Sequence, residues 1–462
     1  MATATTPGAI NGRISHWYDR VPDPRPGLPG DRDADVCVVG AGLTGLWTAY
    51  YLKRADPTLR ISVLEAEFAG FGASGRNGGW LSGLIPGDRE RMARARGRDG
   101  VLAWQRAMND AVDEVIRVAG AEGIDAHIVK GGTLRVARTP AQAVRLRHKV
   151  EADHAWGMPE VALLSPAEAA GHIRVRGTTA AAYTPHCARI QPALLVRGLA
   201  EAAERLGVTI YENTRVDRIE AGRAVTPRGT VRAPFVLRAT EGYTARLDGE
   251  RRTWLPMNSS MIVTEPLGRQ AWDEIGWAGR ATLGDSAHGH MYAQRTHDDR
   301  IAIGGRGVPY RFASGTDDHG RVDAGTVAEL AATLRDMLPA TRGAAIAHGW
   351  CGVLAVPRDW SATVGLDRRT GLGWAGGYVG HGVTSTNLAA RCLADLVLGR
   401  DTELVRLPWV GHRPGTWEPE PLRWLGVRGL YVAYRLADRH EARGGRRTSP
   451  LASMADLIAR RP

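Results

Sequence analysis

Lysine is nearly missing from this chain. Of the 60 Lys and Arg side chains only Lys53, Lys130 and Lys149 are lysines, so scattered arginine carries the formal charge of +11. Clustered basic residues release counterions from phosphates and favour nucleic acid or an acidic membrane; scatter of this kind reads as a coding bias. Local excesses lie at Arg89 to Arg98 and from Arg435 to Arg461, but neither interleaves aromatics with its arginines as a single-strand groove does. Neither nucleic acid nor a membrane is therefore the expected partner. Cysteine is scarce too: Cys37, Cys187, Cys351 and Cys392 are far apart and form no CxxC pair, which argues against zinc, iron–sulfur clusters and a disulfide framework and fits a reducing cytoplasm. No basic-then-apolar leader opens the chain, and no run is both long and free of polar or glycine punctuation, so no secretory or membrane-spanning segment is expected. The sequence has no internal repeat. His288 to His290 ("HGH") has no third ligand nearby and reads as loop polarity, so no metal site is expected.

What the chain does have is glycine, 57 residues of it in a total of 462, a length beyond the size at which single cores stop growing. The most informative stretch is "DVCVVGAGLTGLWTAYYLK", Asp35 to Lys53. An apolar strand through Val36, Val38 and Val39 ends at Gly40, a helical pattern follows from Thr44, and "LRISVLEAE" alternates as a second strand toward Glu65. Gly40, Gly42 and Gly45 match GxGxxG, weak alone but strengthened by the flanking strand and helix and by an acid 25 residues after Gly40. Gly40 permits the tight turn, Gly42 lets backbone approach a pyrophosphate, the helix N-terminus supplies N–H groups and partial positive charge, and Glu65 accepts from ribose hydroxyls. A dinucleotide is expected.

A second glycine cluster, "AGFGASGRNGGWLSG" from Ala69 to Gly83, has no use in a plain nicotinamide dehydrogenase. With "ATEGYT" (Ala239 to Thr244) and "GGYVGHG" (Gly376 to Gly382), it makes the chain resemble the glycine/D-amino acid oxidase (DAO) family of FAD-dependent amine oxidoreductases, closest to the gamma-glutamylputrescine oxidoreductase-like branch, from Asp35 to about Arg400. The resemblance implies an α/β fold: a Rossmann-like FAD-binding domain of the GR2 type and a second α+β substrate domain on a mainly antiparallel sheet. The expected organisation is an N-terminal arm lying on the surface (1–34), a discontinuous FAD-binding domain (35–87, 172–250 and 346–410), a substrate domain (88–171 and 251–345) and a helical, basic tail (411–462). "TSTNLAARCLADLVLG" reads as a helix with Gly399 just past its end.

FAD is the implied cofactor. Its expected contacts are Gly40, Ala41, Gly42, Leu43, Thr44 and Gly45 in the first turn, with Glu65 and Ala66 after the second strand. The second glycine loop adds Gly72, Ala73, Ser74, Arg76, Asn77, Gly78 and Gly79. Further along lie Val216, Ala239, Thr240 and Gly242, and then Gly380, His381, Gly382, Val383 and Thr384, where a helix N-terminus is placed to face the flavin ring. Expected catalytic residues are Arg76 and His381, with Tyr292, Gln294 and Arg306 from strands of the substrate domain and Trp80 as a wall. Arg76 stands where histidine-linked relatives attach their flavin. Non-covalent FAD is expected, with a thioether at Cys351, 26 residues before Gly377, as the alternative. Ser82 and Thr384 occupy the positions of the carboxylate-gripping Arg and Lys of the sarcosine branch, and no lysine follows Lys149 to match the one that activates oxygen there. The expected reaction is oxidation of a C–N bond of an amine or amino-acid-like molecule by hydride transfer to flavin N5, followed by imine hydrolysis. The expected acceptor is O2, giving H2O2, or another electron acceptor, and without that lysine oxidase and dehydrogenase both stay open. An NAD(P)-linked dehydrogenase and an RNA-associated flavoprotein are the competing readings.

Overall fold

A computed structural model describes residues 9–305, 309–445 and 447–459. Short runs of β-branched residues buried on both faces form a central six-stranded sheet. Its order is Thr209–Tyr211, Ile61–Leu64, Val36–Val39, Phe235–Arg238, Leu372–Gly376 and Thr363–Asp367. The first five strands are mutually parallel and the last is an antiparallel edge. A parallel sheet must be covered on both faces. The helices Leu43–Ala55, Pro192–Arg205 and Gly382–Leu398 cover one face, against Val36, Val38, Ile61, Val63 and Leu237, with Leu43–Ala55 buried along most of its length; the strands Arg223–Thr226 and Gly229–Arg232 cover the other, where Ala224 and Val231 pack with Cys37, Val39, Leu64 and Val236. Gly399, at φ 71°, ends the last of these helices as its sequence predicts.

A nine-stranded sheet stands beside it, in the order Ile10–Asn11, Ile346–Val356, Leu255–Thr264, Ile301–Gly305, Met291–Arg295, Thr282–Asp285, Thr133–Ala137, Ala180–Thr184 and Ala162–Leu164. Most of its pairs are antiparallel; Ile10–Asn11 with Ile346–Val356, and Thr282–Asp285 with Thr133–Ala137, are parallel. A four-stranded sheet (Arg218–Glu220, Arg223–Thr226, Gly229–Arg232, Arg32–Asp33) and a two-stranded one (Trp80–Ser82 with Cys187–Arg189) complete the β-structure.

Three expected boundaries move. The helix Arg98–Ala121, expected in the substrate domain, puts Val112, Val115, Val118 and Ala119 into the same apolar core as Leu43–Ala55, because its amphipathic stripe matches the outer face of the helix layer. Ile346–Val356 and Ala180–Thr184, expected with the FAD-binding part, are instead strands of the nine-stranded sheet. The N-terminal arm is not a surface strap. Its Ser15 and Trp17 are buried, it adds strands to two sheets, and Arg25 pins it through Glu204 (2.6 Å) and Glu212 (2.9 Å).

Candidate active site

The strand Val36–Val39 ends at Gly40, whose φ of +107° and close approach to the Ala239 carbonyl, 2.7 Å from an added Cβ, leave room only for glycine. Gly42 caps the helix Leu43–Ala55 without any side chain of its own, and a Cβ there would lie 2.9 Å from Ser74 Oγ. The Leu43 N–H donates to that same Ser74 Oγ at 2.8 Å, so the second glycine loop closes over the first turn. Glu65 accepts from the Ala41 N–H at 2.7 Å and the Glu67 N–H at 3.1 Å. Its accessible side faces a cavity and the rest is enclosed by protein. Burial outweighs the two donors and pushes the carboxyl up to about 7.

The loop from Gly70 to Gly79 is clamped from several directions. Ser15 Oγ donates to the Gly75 carbonyl (2.7 Å), Trp17 Nε1 to that of Asn77 (2.8 Å), and Tyr18 OH to that of Gly70 (3.1 Å). Trp350 Nε1 donates to the Arg76 carbonyl at 2.9 Å, and Gln294 Nε2 to that of Gly78 at 2.8 Å. Asn77 ties the loop to itself, donating to the Ser74 carbonyl at 2.8 Å and accepting from the Gly79 N–H at 2.7 Å. The fully buried Arg76 guanidinium donates to the carbonyls of Phe71 (2.7 Å), Asp317 (3.3 Å) and Asp318 (2.8 Å) and lies over the Phe71 ring.

A third wall comes from the end of Leu372–Gly376 and the start of Gly382–Leu398. Glu241 accepts from the N–H groups of Ala355 (3.1 Å), Gly377 (2.9 Å) and Tyr378 (3.4 Å), tying the "ATEGYT" and "GGYVGHG" stretches together; burial again pushes its carboxyl up to about 7. Tyr378 OH lies 3.1 Å from Thr44 Oγ1, which joins this wall to the first glycine turn. His381 is the residue before the helix and has no side-chain capping bond. Burial, reinforced by the charges of Arg135 and Lys149, lowers its ring to about 4, so it is uncharged at neutral pH.

One cavity of about 1990 Å³ joins these walls. It is lined by Gly40, Gly42, Leu43, Thr44, Glu65, Ala66, Gly72, Ala73, Ser74, Arg76, Asn77, Gly78, Val216, Ala239, Thr240, Gly380, His381, Gly382, Val383, Tyr292, Trp80 and Ser82, all of them expected from the sequence. Tyr292 donates to or accepts from Ser259 Oγ at 2.9 Å, and its ring covers Gly78, where a Cβ would lie 2.7 Å away.

Other expected contacts sit behind the wall. Ala41 acts through its N–H to Glu65, Gly45 packs helix on strand, and Gly242 packs on Val353. Gly79 lies over Gln294, and Thr384 is fully buried in its helix. Gln294, expected as a catalytic residue, is instead a brace. Its amide is buried and directed at the Gly78 and Ile190 carbonyls, because that strand face looks onto the glycine loop. Cys351 is not among the described cavity-lining residues. Its thiol is buried, faces the Arg321 carbonyl at 3.5 Å, and is raised to about 11 by burial. Arg306 lies outside the described residues.

Three features escaped sequence reasoning. Glu241 enters only within the "ATEGYT" stretch, Ser15, Trp17 and Tyr18 belong to an arm expected on the surface, and the C-terminal tail is expected only as a helical, basic segment. In fact the helix Leu422–Ala442 lines the far end of the cavity with Val427, Leu430, Tyr431, Tyr434 and Asp438. His288, Asp438 and Glu441 come together there, their ligand atoms within 4.8 Å of one another. Their oxygens are already engaged: Arg145 grips both carboxylate oxygens of Glu441 (2.6 and 2.9 Å), and Asp438 accepts from the His288 and Gly289 N–H groups. Glu441 is 153 residues from His288, too far along the chain for any spacing rule to pair them.

The residues present fit FAD. A cradle that a Cβ at Gly40 or Gly42 would obstruct, a carboxyl facing the cavity beside it, and a second glycine surface under Tyr292 are what a diphosphate, a ribose and a flat ring system need. The chain is similar to several known proteins. Gamma-glutamylputrescine oxidoreductase of Escherichia coli (strain K12) is 30% identical over 414 residues, covering 88% of this chain and 93% of that protein. A probable oxidoreductase, OrdL, of Rhizobium meliloti (strain 1021) is 29% identical over 413 residues, covering 84% and 89%. Among solved structures, glycine oxidase from Geobacillus kaustophilus superposes with a TM-score of 0.66 at 23% identity, over 80% of this chain and 96% of that one. L-proline dehydrogenase from P. horikoshii gives 0.68 at 20%, over 82% and 98%; these two show the shared fold. The DAO family model, described as FAD dependent oxidoreductase, matches residues 35–396, from the first cavity strand almost to the end of the helix that begins at Gly382, and the chain belongs to that family.

Proposed function

We propose that this protein oxidises the C–N bond of an amine or amino-acid-like substrate with FAD held non-covalently. The observation that carries the reading is the single cavity in which the pyrophosphate-type turn at Gly40 to Leu43 and the Tyr292, Gly78 and His381 surfaces are continuous. Held by the Gly40 to Leu43 turn and the Gly78, Tyr292 and His381 surfaces, FAD would supply hydride acceptance from the carbon beside a neutral amine, with water to hydrolyse the imine and O2 as the oxidant that would return it to the oxidised state, giving H2O2. Everything else falls to the protein. The first turn of Gly382–Leu398 presents partial positive charge to the cavity, favouring added negative charge there by about 0.3–1 kcal/mol, and more where solvent is excluded. An uncharged His381 adds no further positive charge to that end, where Arg135 and Lys149 already act. Tyr292, fixed by Ser259, and Trp80 orient the substrate and keep water out. Ser82 lines the cavity while Thr384 is buried, so neither offers the positive clamp of the sarcosine branch. That favours an amine whose carboxylate lies far from the reacting carbon, as in the gamma-glutamylated diamine named for the Escherichia coli relative. Non-covalent binding is favoured because the Cys351 thiol is buried away from the cavity.

The test is anaerobic titration of the yellow holoprotein with gamma-glutamylputrescine, putrescine, glycine and sarcosine, followed by air and a peroxide assay. Bleaching by the gamma-glutamylated diamine and recolouring with peroxide release is expected. A flavin left oxidised by every amine would sink the substrate reading, and flavin remaining on the denatured chain would sink non-covalent binding.

A further inference from the structure

We propose that the C-terminal helix pair docks this protein on an anionic phospholipid surface. Of thirteen large apolar side chains that are strongly exposed among the described residues, eight lie on the helices Leu422–Ala442 and Pro450–Ala459. On the first helix Leu422, Leu425, Val432 and Leu436 recur at spacings of three, seven and four residues, which at 3.6 residues per turn forms one stripe. The opposite face is the one committed to the protein, through Arg423, Val427, Tyr434, Ala437 and Glu441. Leu425 and Val432 are each 55% exposed, far more than side chains covered by a neighbouring element.

Charge decides what covers the stripe. Arg428, Arg435 and Arg439 run along one flank of it and Arg443 lies at its end, all exposed. Arg435 lies 4.0 Å from Glu329. The three carboxylates of the helix pair all turn inward: Asp438 accepts the His288 and Gly289 N–H groups, Glu441 is held by Arg145, and Asp456 accepts from Tyr434 OH at 2.6 Å. The outer face is therefore apolar with a mainly cationic margin, Glu329 beside Arg435 being the acidic neighbour, the pattern of a helix that lies in a headgroup layer. A second copy of the same face would bring arginine against arginine. RNA would use the arginines and gain nothing from the leucines. No helix among the described residues is long and apolar enough to cross a membrane, so the contact is one of lying on the surface. The same helix walls the cavity, which reaches round to Leu422, Arg435 and Arg439 at the edge of the stripe and so puts the substrate end of the site next to the lipid.

The experiment is sedimentation of full-length holoprotein with vesicles of phosphatidylcholine alone and of phosphatidylcholine mixed with phosphatidylglycerol, over a salt series. Binding to the mixed vesicles only, weakening with salt, is expected. The pair Leu425→Gln and Leu436→Gln should weaken it roughly tenfold or more through lost apolar insertion. The pair Arg428→Gln and Arg443→Gln should do the same through lost headgroup attraction. Neither pair lines the cavity, so flavin spectrum and melting temperature report correct folding. The proposal is overturned if wild type ignores phosphatidylglycerol at low salt or if vesicle binding survives either pair. It is overturned equally if RNA captures wild type and the leucine variant alike, or if the leucine variant turns a dimer into a monomer in light scattering.

Discussion

Glu65 is a carboxyl held where its charge is costly. Burial raises it to about 7, against an ordinary value near 4.3 for a free glutamate, while the Ala41 and Glu67 N–H groups pull the other way. In the empty site the group favours the proton, so its contribution to stability is fully present below its unfolded value and is lost as pH rises through about 7. In the proposed reading, ribose hydroxyls would donate to the carboxylate and reverse that preference. Binding then expels a proton, so FAD should be held more tightly at pH 8 than at pH 6, with the change centred near 7. Glu65→Gln keeps an acceptor but no charge and should weaken FAD roughly five- to tenfold at pH 8, the gap between a charge-assisted and a neutral hydrogen bond. It should also flatten the pH dependence. Fluorescence of released FAD across that range measures both, and a wild-type affinity that ignores pH would place the ribose elsewhere.

Elements explain why the first glycine turn was legible and the clamp around the second was not. Strand, Gly40 turn, helix and Glu65 lie within one local pattern, each piece announced by periodicity or by glycine. The braces on the Gly70 to Gly79 loop come from residues 60 positions away in the arm (Ser15, Trp17) and 216 away on a strand (Gln294). No local pattern encodes such partners, and a buried Trp or Gln looks like any core residue until its donor is seen. The helix at Gly382 was likewise readable from its own glycines, whereas Glu241 depends on three N–H groups more than a hundred residues on. The clamp has a measurable consequence. Gln294→Leu strands the Gly78 and Ile190 carbonyls, and each buried acceptor left unpaired costs about 1–3 kcal/mol. A lower melting temperature and faster loss of FAD are expected, with the visible spectrum of the FAD that remains shifted only slightly, because Gln294 touches the loop and not the cavity. Equal FAD retention in variant and wild type would show that the loop is held well enough without it.

At the scale of the whole molecule, the tail read as basic and separate proves to be the end wall of the cavity, fastened to the body by side chains rather than by sheet pairing. The principal fastening is Glu441, fully buried, gripped by Arg145 at 2.6 Å and by His288 at 3.0 Å, with Trp360 Nε1 donating to the Ala459 carbonyl at 2.9 Å further along. Burial alone would raise the Glu441 carboxyl; the hydrogen bonds from His288 and Arg145 overcome it and bring the group down to about 2. Its stabilising contribution is therefore present above the unfolded value near 4.3 and is lost only as pH falls through about 2, so the wall should stay closed across the mildly acid range. Arg145→Met removes the guanidinium and leaves the carboxylate with His288 alone. Breaking a fully buried pair costs about 3–5 kcal/mol, and because Arg145 is partly open to solvent about 2 kcal/mol is the better expectation here. Amide exchange should accelerate across 422–459 and not in the six-stranded sheet, and acid opening of the wall should move up toward pH 4. Adding Glu441→Gln to Arg145→Met should recover part of the loss, since it removes the stranded charge. Exchange that rises uniformly over the chain would mean that the tail is not a separately fastened unit but part of one cooperative core.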